Sequence, residues 1–180
     1  KPNTYSKTIY GQYRSLVLGD EDSEFYLANS STPSSNFIAI TIDRARFKEK
    51  LVLGTLRLEV GDLVLIDNSK FSGTVQYVDS GRLYKLIKEG EGVTENAKTY
   101  GFFLPDIGVI LLDCEMIGMP DVRWDPWEKD SDENRKSAME IFFDMFKSIE
   151  LQSEETVTSN YVFVRARNAE FNYSTNPSNI

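Results

Sequence analysis

The chain has no histidine and a single cysteine, Cys114. The missing histidine excludes serine–histidine and cysteine–histidine catalysis within the chain. A lone cysteine excludes an internal disulfide, and together the two absences exclude zinc sites of the Cys/His kind. Long apolar runs are lacking as well. The stretch at 109–112 is typical of the longest and falls far short of the roughly 20 residues that a membrane-spanning helix needs. No secretory apolar segment stands at the start. No basic arm is present either: 20 Lys and Arg face 28 Asp and Glu, a net charge of -8. Long-range attraction to a polyanion is therefore disfavoured, and neither nucleic acid nor membrane is expected as a partner. No repeat of 20–50 residues is evident.

What is present is ordinary globular chemistry. Hydrophobic residues make up 41% and charged residues 27% of 180 residues, enough for one large domain or two small ones with a sizeable core. Cys114 ends the apolar run GVILLDC (108–114), which suits a packed side chain better than a nucleophile. The chain opens on Lys1 and stops within a polar tract, so it is expected to be part of a longer polypeptide.

The pattern is that of strands in pairs. Residues 1–35 read as an extended N-terminal arm and loop, with GDED (19–22) closing the arm and SSTPSS (30–35) as a loop or hinge. FIAITID (37–43) is rich in β-branched residues and predicts a strand. LRLEV (56–60) and LVLID (63–67) are joined by Gly61-Asp62, a two-residue hairpin link. TVQYV (74–78) and RLYKLI (82–87) flank Asp79-Ser80-Gly81, a second hairpin. YGFFL (100–104) and GVILLD (108–113) surround Pro105-Asp106, a turn pair.

The period then changes. Ala138, Ile141, Phe142, Met145, Phe146 and Ile149 recur at helical spacing, with Lys136, Glu140, Asp144 and Lys147 opposite. Asp130, Ser131 and Asp132 are candidate N-caps. This predicts one long amphipathic helix over about 133–149, followed by a strand at 161–167. The expected fold is mainly β, with antiparallel hairpins in a sandwich- or barrel-like α+β arrangement. The β-rich domain spans 36–180.

Three constellations could carry chemistry. Asp20, Glu21, Asp22 and Glu24 are oxygen ligands of a kind that suits calcium, but their spacing is not that of an EF-hand, and a solvated turn is the better reading. Trp124 and Trp127 stand among Asp121, Asp125, Glu128, Asp130, Asp132 and Glu133. Aromatic platforms beside paired carboxylates could contact a glycan or, less readily, hydrolyse one; the alternative is a loop anchored by two tryptophans ahead of a helix. In YVFVRAR (161–167), Tyr161, Phe163, Arg165 and Arg167 share one face. Paired arginines clamp carboxylates, and in so acidic a chain the abundant carboxylates belong to other proteins. Arginine and tyrosine are also enriched where interfaces are tightest. This segment is accordingly read as a docking strand, with Phe171, Tyr173 and Pro177 as anchors beyond it. No metal, cofactor or catalytic residue is assigned.

The run YVFVRARNAEFNYSTNP (161–177) resembles a segment of virion structural proteins of T4-like phages of aquatic hosts, including cyanophages. There, a strand ending in an Arg-Ala-Arg type motif leads into an aromatic-Asn-aromatic-Ser-x-Asn-Pro tract. TYGFFLPDIGVILLD (99–113) and FKEKLVLGTL (47–56) are similar to other blocks of such proteins. The resemblance covers about half of the chain in scattered blocks. It implies a non-enzymatic component of a myovirus tail or baseplate, whose partners are other copies of itself and other phage structural proteins. A receptor-facing module that uses Trp124 and Trp127 on a host-surface glycan is the alternative.

Overall fold

The computed structural model describes residues 4–20, 37–92, 98–119 and 138–155. These form a β-rich α+β fold whose main sheet curls as a half-barrel, with a few short helices. The elements in chain order are α1 (Thr4–Leu18), β1 (Phe37–Thr41), α2 (Arg44–Phe47), β2 (Lys50–Leu51), β3 (Arg57–Val60), β4 (Leu63–Asp67), a 3-10 turn (Asn68–Lys70), β5 (Gln76–Val78), β6 (Gly81–Lys88), β7 (Gly101–Leu104), β8 (Val109–Asp113), α3 (Ala138–Met145), β9 (Phe146–Glu150) and β10 (Ser153–Glu154).

The three expected hairpins form: β3 with β4, β5 with β6 and β7 with β8, all antiparallel. Joined by long-range pairs, they give the order β1-β8-β7-β6-β4-β3-β9. β5 pairs with β6 off this path, and β10 pairs with β2 as a separate ribbon. β6 is long enough to hold two partners in tandem on one edge, β4 against Leu86 to Lys88 and β5 against Gly81 to Leu83. Between them the buried side chain of Asn68 accepts the backbone N–H of Lys85 at 3.1 Å, standing in for a strand.

Strand alternation sorts the apolar residues onto two faces. One face gathers Leu58, Leu65, Leu86, Phe103, Ile110 and Leu112 under Phe47 of α2 and Phe142 of α3. The other gathers Leu83, Phe102, Leu104 and Leu111 under Val17, Tyr13 and Leu16 of α1. Each large side chain so buried contributes about 1.5–3 kcal/mol of transfer free energy.

Two expectations are corrected here. The segment expected as an extended arm is a 15-residue helix at Thr4–Leu18. Tyr13, Leu16 and Val17 fall at helical spacing and seat one stripe on the sheet, which outweighs the β-leaning Ser, Thr and Tyr content around them. The late helix is also shorter than expected. Within the described residues it runs Ala138–Met145, and the chain then turns straight into β9; residues 133–137 lie outside them.

The sequence pattern misleads at β9 for a specific reason. Phe146 and Ile149 are three residues apart, as on a helix face, yet both pack on the same core cluster. A register shift between Glu59 and Val60 makes this possible: Val60 opposes Phe146, Glu59 opposes Ser148, and Lys147 is the extra residue. A β-bulge thus imitates helical spacing. The backbone N–H of Gly61 donates to the carbonyl of Met145 at 2.8 Å, where the helix gives way to the strand.

Candidate functional site

The sequence-predicted site residues lie outside the described residues. This holds for Tyr161, Phe163, Arg165, Arg167, Phe171, Tyr173 and Pro177, for Trp124 and Trp127, and for the carboxylates around the tryptophans. Of the acidic cluster only Asp20 is described. Among the described residues no group of three or more His, Cys, Asp or Glu is placed to hold a metal ion, and no helix is long and apolar enough to cross a membrane.

Three polar centres organise what is described. The first joins the β5–β6 and β7–β8 hairpins. Arg82 donates from Nη2 to Asp106 Oδ1 at 2.7 Å and from Nε to both carboxylate oxygens at 3.2 Å, while its backbone N–H donates to Oδ2 at 2.7 Å. Arg82 holds the Asp106 carboxyl below its ordinary range, and Asp106 in turn raises Arg82. Arg44 donates to the Asp106 carbonyl at 3.4 Å and lies over the Phe47 ring, 4.7 Å from its centroid. The Asp106 carboxylate is engaged by Arg82 from both side chain and backbone, which makes this centre a brace between hairpins.

The second centre is Asp67 at the end of β4, 1% exposed. Its carboxylate accepts the N–H of Gly54 at 3.0 and 3.1 Å and the N–H of Ser69 at 3.2 Å, and also takes the Ser69 hydroxyl. It ties the β2–β3 connection to the 3-10 turn. Buried carboxylates need such donors.

The third centre is Asp113, 1% exposed at the end of β8. Oδ1 accepts the N–H of Met116 at 2.9 Å. Oδ2 is buried without a hydrogen-bond partner. Its neighbour Cys114 is core, as the apolar run predicts: burial foremost, then the Asp113 charge, pushes its thiol up to about 12. Such a thiol has almost no thiolate at neutral pH and is a poor nucleophile.

No protein-family model, curated protein or solved structure matches the chain.

The surface carries the features that pattern reading missed. Tyr77 on β5 is 77% exposed, and on α3 Met139 and Phe143, four residues apart on one face, are 50% and 66% exposed. Phe71 and Val75, just ahead of β5, are exposed too. β1 is an end strand of the sheet, its pairing among the described residues being with β8 alone. The aromatic character of Tyr77 and Phe143 was readable. Their exposure was not, since it follows from which strand is an edge and which helix face meets the sheet.

Proposed function

We propose that the chain is a non-enzymatic structural component of a bacteriophage virion, in the tail baseplate, acting through several protein contacts at once. The observation that carries the contact role is the exposure of large apolar side chains on two separate elements, Tyr77 on β5 and Met139 with Phe143 on α3. Apolar groups held in water on folded elements suit burial by neighbours. The residues 161–167, with Arg165 and Arg167, add a docking strand, and Phe171, Tyr173 and Pro177 extend it. Strand addition would carry the half-barrel toward the barrel-like form that the hairpin pattern predicts. The placement in a phage tail rests on the resemblance of 161–177, 99–113 and 47–56.

The non-enzymatic reading is supported by the chain's own chemistry. It lacks histidine, its one thiol is buried and held protonated, and the Arg82–Asp106 ion pair is spent bracing two hairpins.

The experiment compares incorporation of wild type, Tyr77→Ser and Phe143→Ser into particles, with circular dichroism of each purified variant. Both variants should fold, since each side chain is exposed, and both should be depleted from particles. Undiminished incorporation of both would remove these surfaces from the account. Undiminished incorporation together with glycan binding that is lost on Trp124→Ala would favour the receptor-facing alternative.

A further inference from the structure

Two guanidinium groups meet at Asp106. Arg82 takes the carboxylate through Nε and Nη2, and Arg44 reaches the backbone carbonyl through Nη1 at 3.4 Å. Neither group is used up by these bonds. Among the described residues Arg82 Nη1 has no acceptor, and it is not a buried atom. Arg44 is exposed, forms no ion pair among the described residues and spends a single N–H. Asp43, just ahead of it, turns its carboxylate to the N–H of Ala45 instead.

Tyr77 stands beside this pair. It lies directly opposite Arg82 in the β5–β6 ladder, so the two side chains share a face. Its ring is largely exposed, and so is Val75, two residues earlier. The patch is also firmly rooted. Arg44 lies over the ring of Phe47, and Phe47 and Tyr84 are both buried in one core cluster.

The surface is thus rich in donors and poor in acceptors, with an aromatic ring at its side. A carboxylate supplies the acceptors, and guanidinium groups hold it through paired N–H bonds. A polyanion suits the surface less. Asp106 stands between the two arginines, and the field of a chain at -8 repels a string of phosphates, whereas one carboxylate needs only the local donors.

We propose that Arg44, Arg82 and Tyr77 form a docking surface for an acidic segment of another protein. An Asp or Glu carboxylate of that segment is held by the two guanidinium groups, and a neighbouring apolar side chain lies on the Tyr77 ring. This rests on the reading above that Tyr77 meets a neighbour in the particle, and it names what that neighbour presents. Two copies of this chain, each at -8, repel one another, so the segment is assigned to a different protein.

Titration of the isotopically labelled full-length chain with the peptide acetyl-Glu-Phe-Glu-amide tests it by nuclear magnetic resonance. The side-chain N–H signals of Arg44 and Arg82 and the amide of Tyr77 should shift together and saturate. Acetyl-Gln-Phe-Gln-amide should leave them in place. Arg44→Gln, checked for folding by circular dichroism, should weaken binding about tenfold, the loss of one charge-assisted bond. No saturable shift, or an equal shift with the glutamine peptide, would overturn the proposal. Inorganic phosphate that displaces the acidic peptide at equal concentration would make this a general anion site and overturn it as well. Shifts of the same signals with the chain's own concentration, without peptide, would give the surface to a second copy instead. Incorporation of Arg44→Glu into particles separates the two levels. If Arg44→Glu enters normally while Tyr77→Ser is depleted, the neighbour is not acidic and only this inference fails. If both enter normally, the contact reading of Tyr77 fails with it.

Discussion

Asp106 accepts both the side chain and the backbone N–H of Arg82, with Nη2 and N each 2.7 Å from a carboxylate oxygen. One residue in the β7–β8 turn thereby fixes where β6 begins. Gly81 is part of the same arrangement: it holds φ +116, and a Cβ there would overlap the Asp106 carboxylate.

Asp106→Ala should lower stability by about 1–2 kcal/mol, since the pair is about a third exposed and a charge-assisted bond is partly offset by water. Asp106→Asn should cost less, because it keeps an acceptor for the Arg82 N–H. The difference between wild type and Asp106→Asn should depend on pH. The folded carboxyl lies below its ordinary value of 3.8, so its contribution is present above that value and is lost as pH falls through the folded one. Urea titrations at pH 7 and below pH 4 check this; a difference that does not shrink in acid would contradict it.

Gly101→Ala should be among the most damaging single changes in the chain. A Cβ at 101 would overlap the backbone carbonyl of Leu111 on the paired strand, and backbone cannot yield as a side-chain tip can. The expected loss is about 3 kcal/mol or more, seen as a lowered melting temperature or as failure to express folded protein. A melting temperature within a few degrees of wild type would contradict it.

Cys114 should resist modification in the folded protein. At pH 8 a thiol reagent should label native chain slowly and urea-unfolded chain at once, because only the unfolded thiol ionises readily. The same shift has a stability consequence. The folded thiol is raised from 9.0 to about 12, so its contribution is complete below about pH 9 and is lost as pH rises toward 12. Cys114→Ser should show a flatter decline over that window.

Much of the sheet could be read from local pattern. The Gly61-Asp62 hairpin, the strand at Phe37–Thr41 and the pair around Pro105-Asp106 formed where alternation and turn residues placed them. What escaped was set by distant partners. β9 exists because β3 offers an edge much earlier in the chain, Val60 lying opposite Phe146, 86 residues on, and a bulge makes its apolar spacing look helical. α1 was hidden by Ser, Thr and Tyr, whose β and turn leanings yield once Val17 is buried on the sheet. The brace of Arg82 on Asp106 joins residues 24 apart and has no local signature.

The central claim is membership of a phage particle through protein contacts. The most direct measurement is a cryo-electron microscopy map of purified particles containing this chain, backed by mass spectrometry of the same particles. The account predicts the chain in the tail baseplate, with Tyr77, Phe143 and residues 161–177 buried against neighbouring chains. Particles that lack the chain, or that carry it with all three surfaces open to solvent, would contradict it.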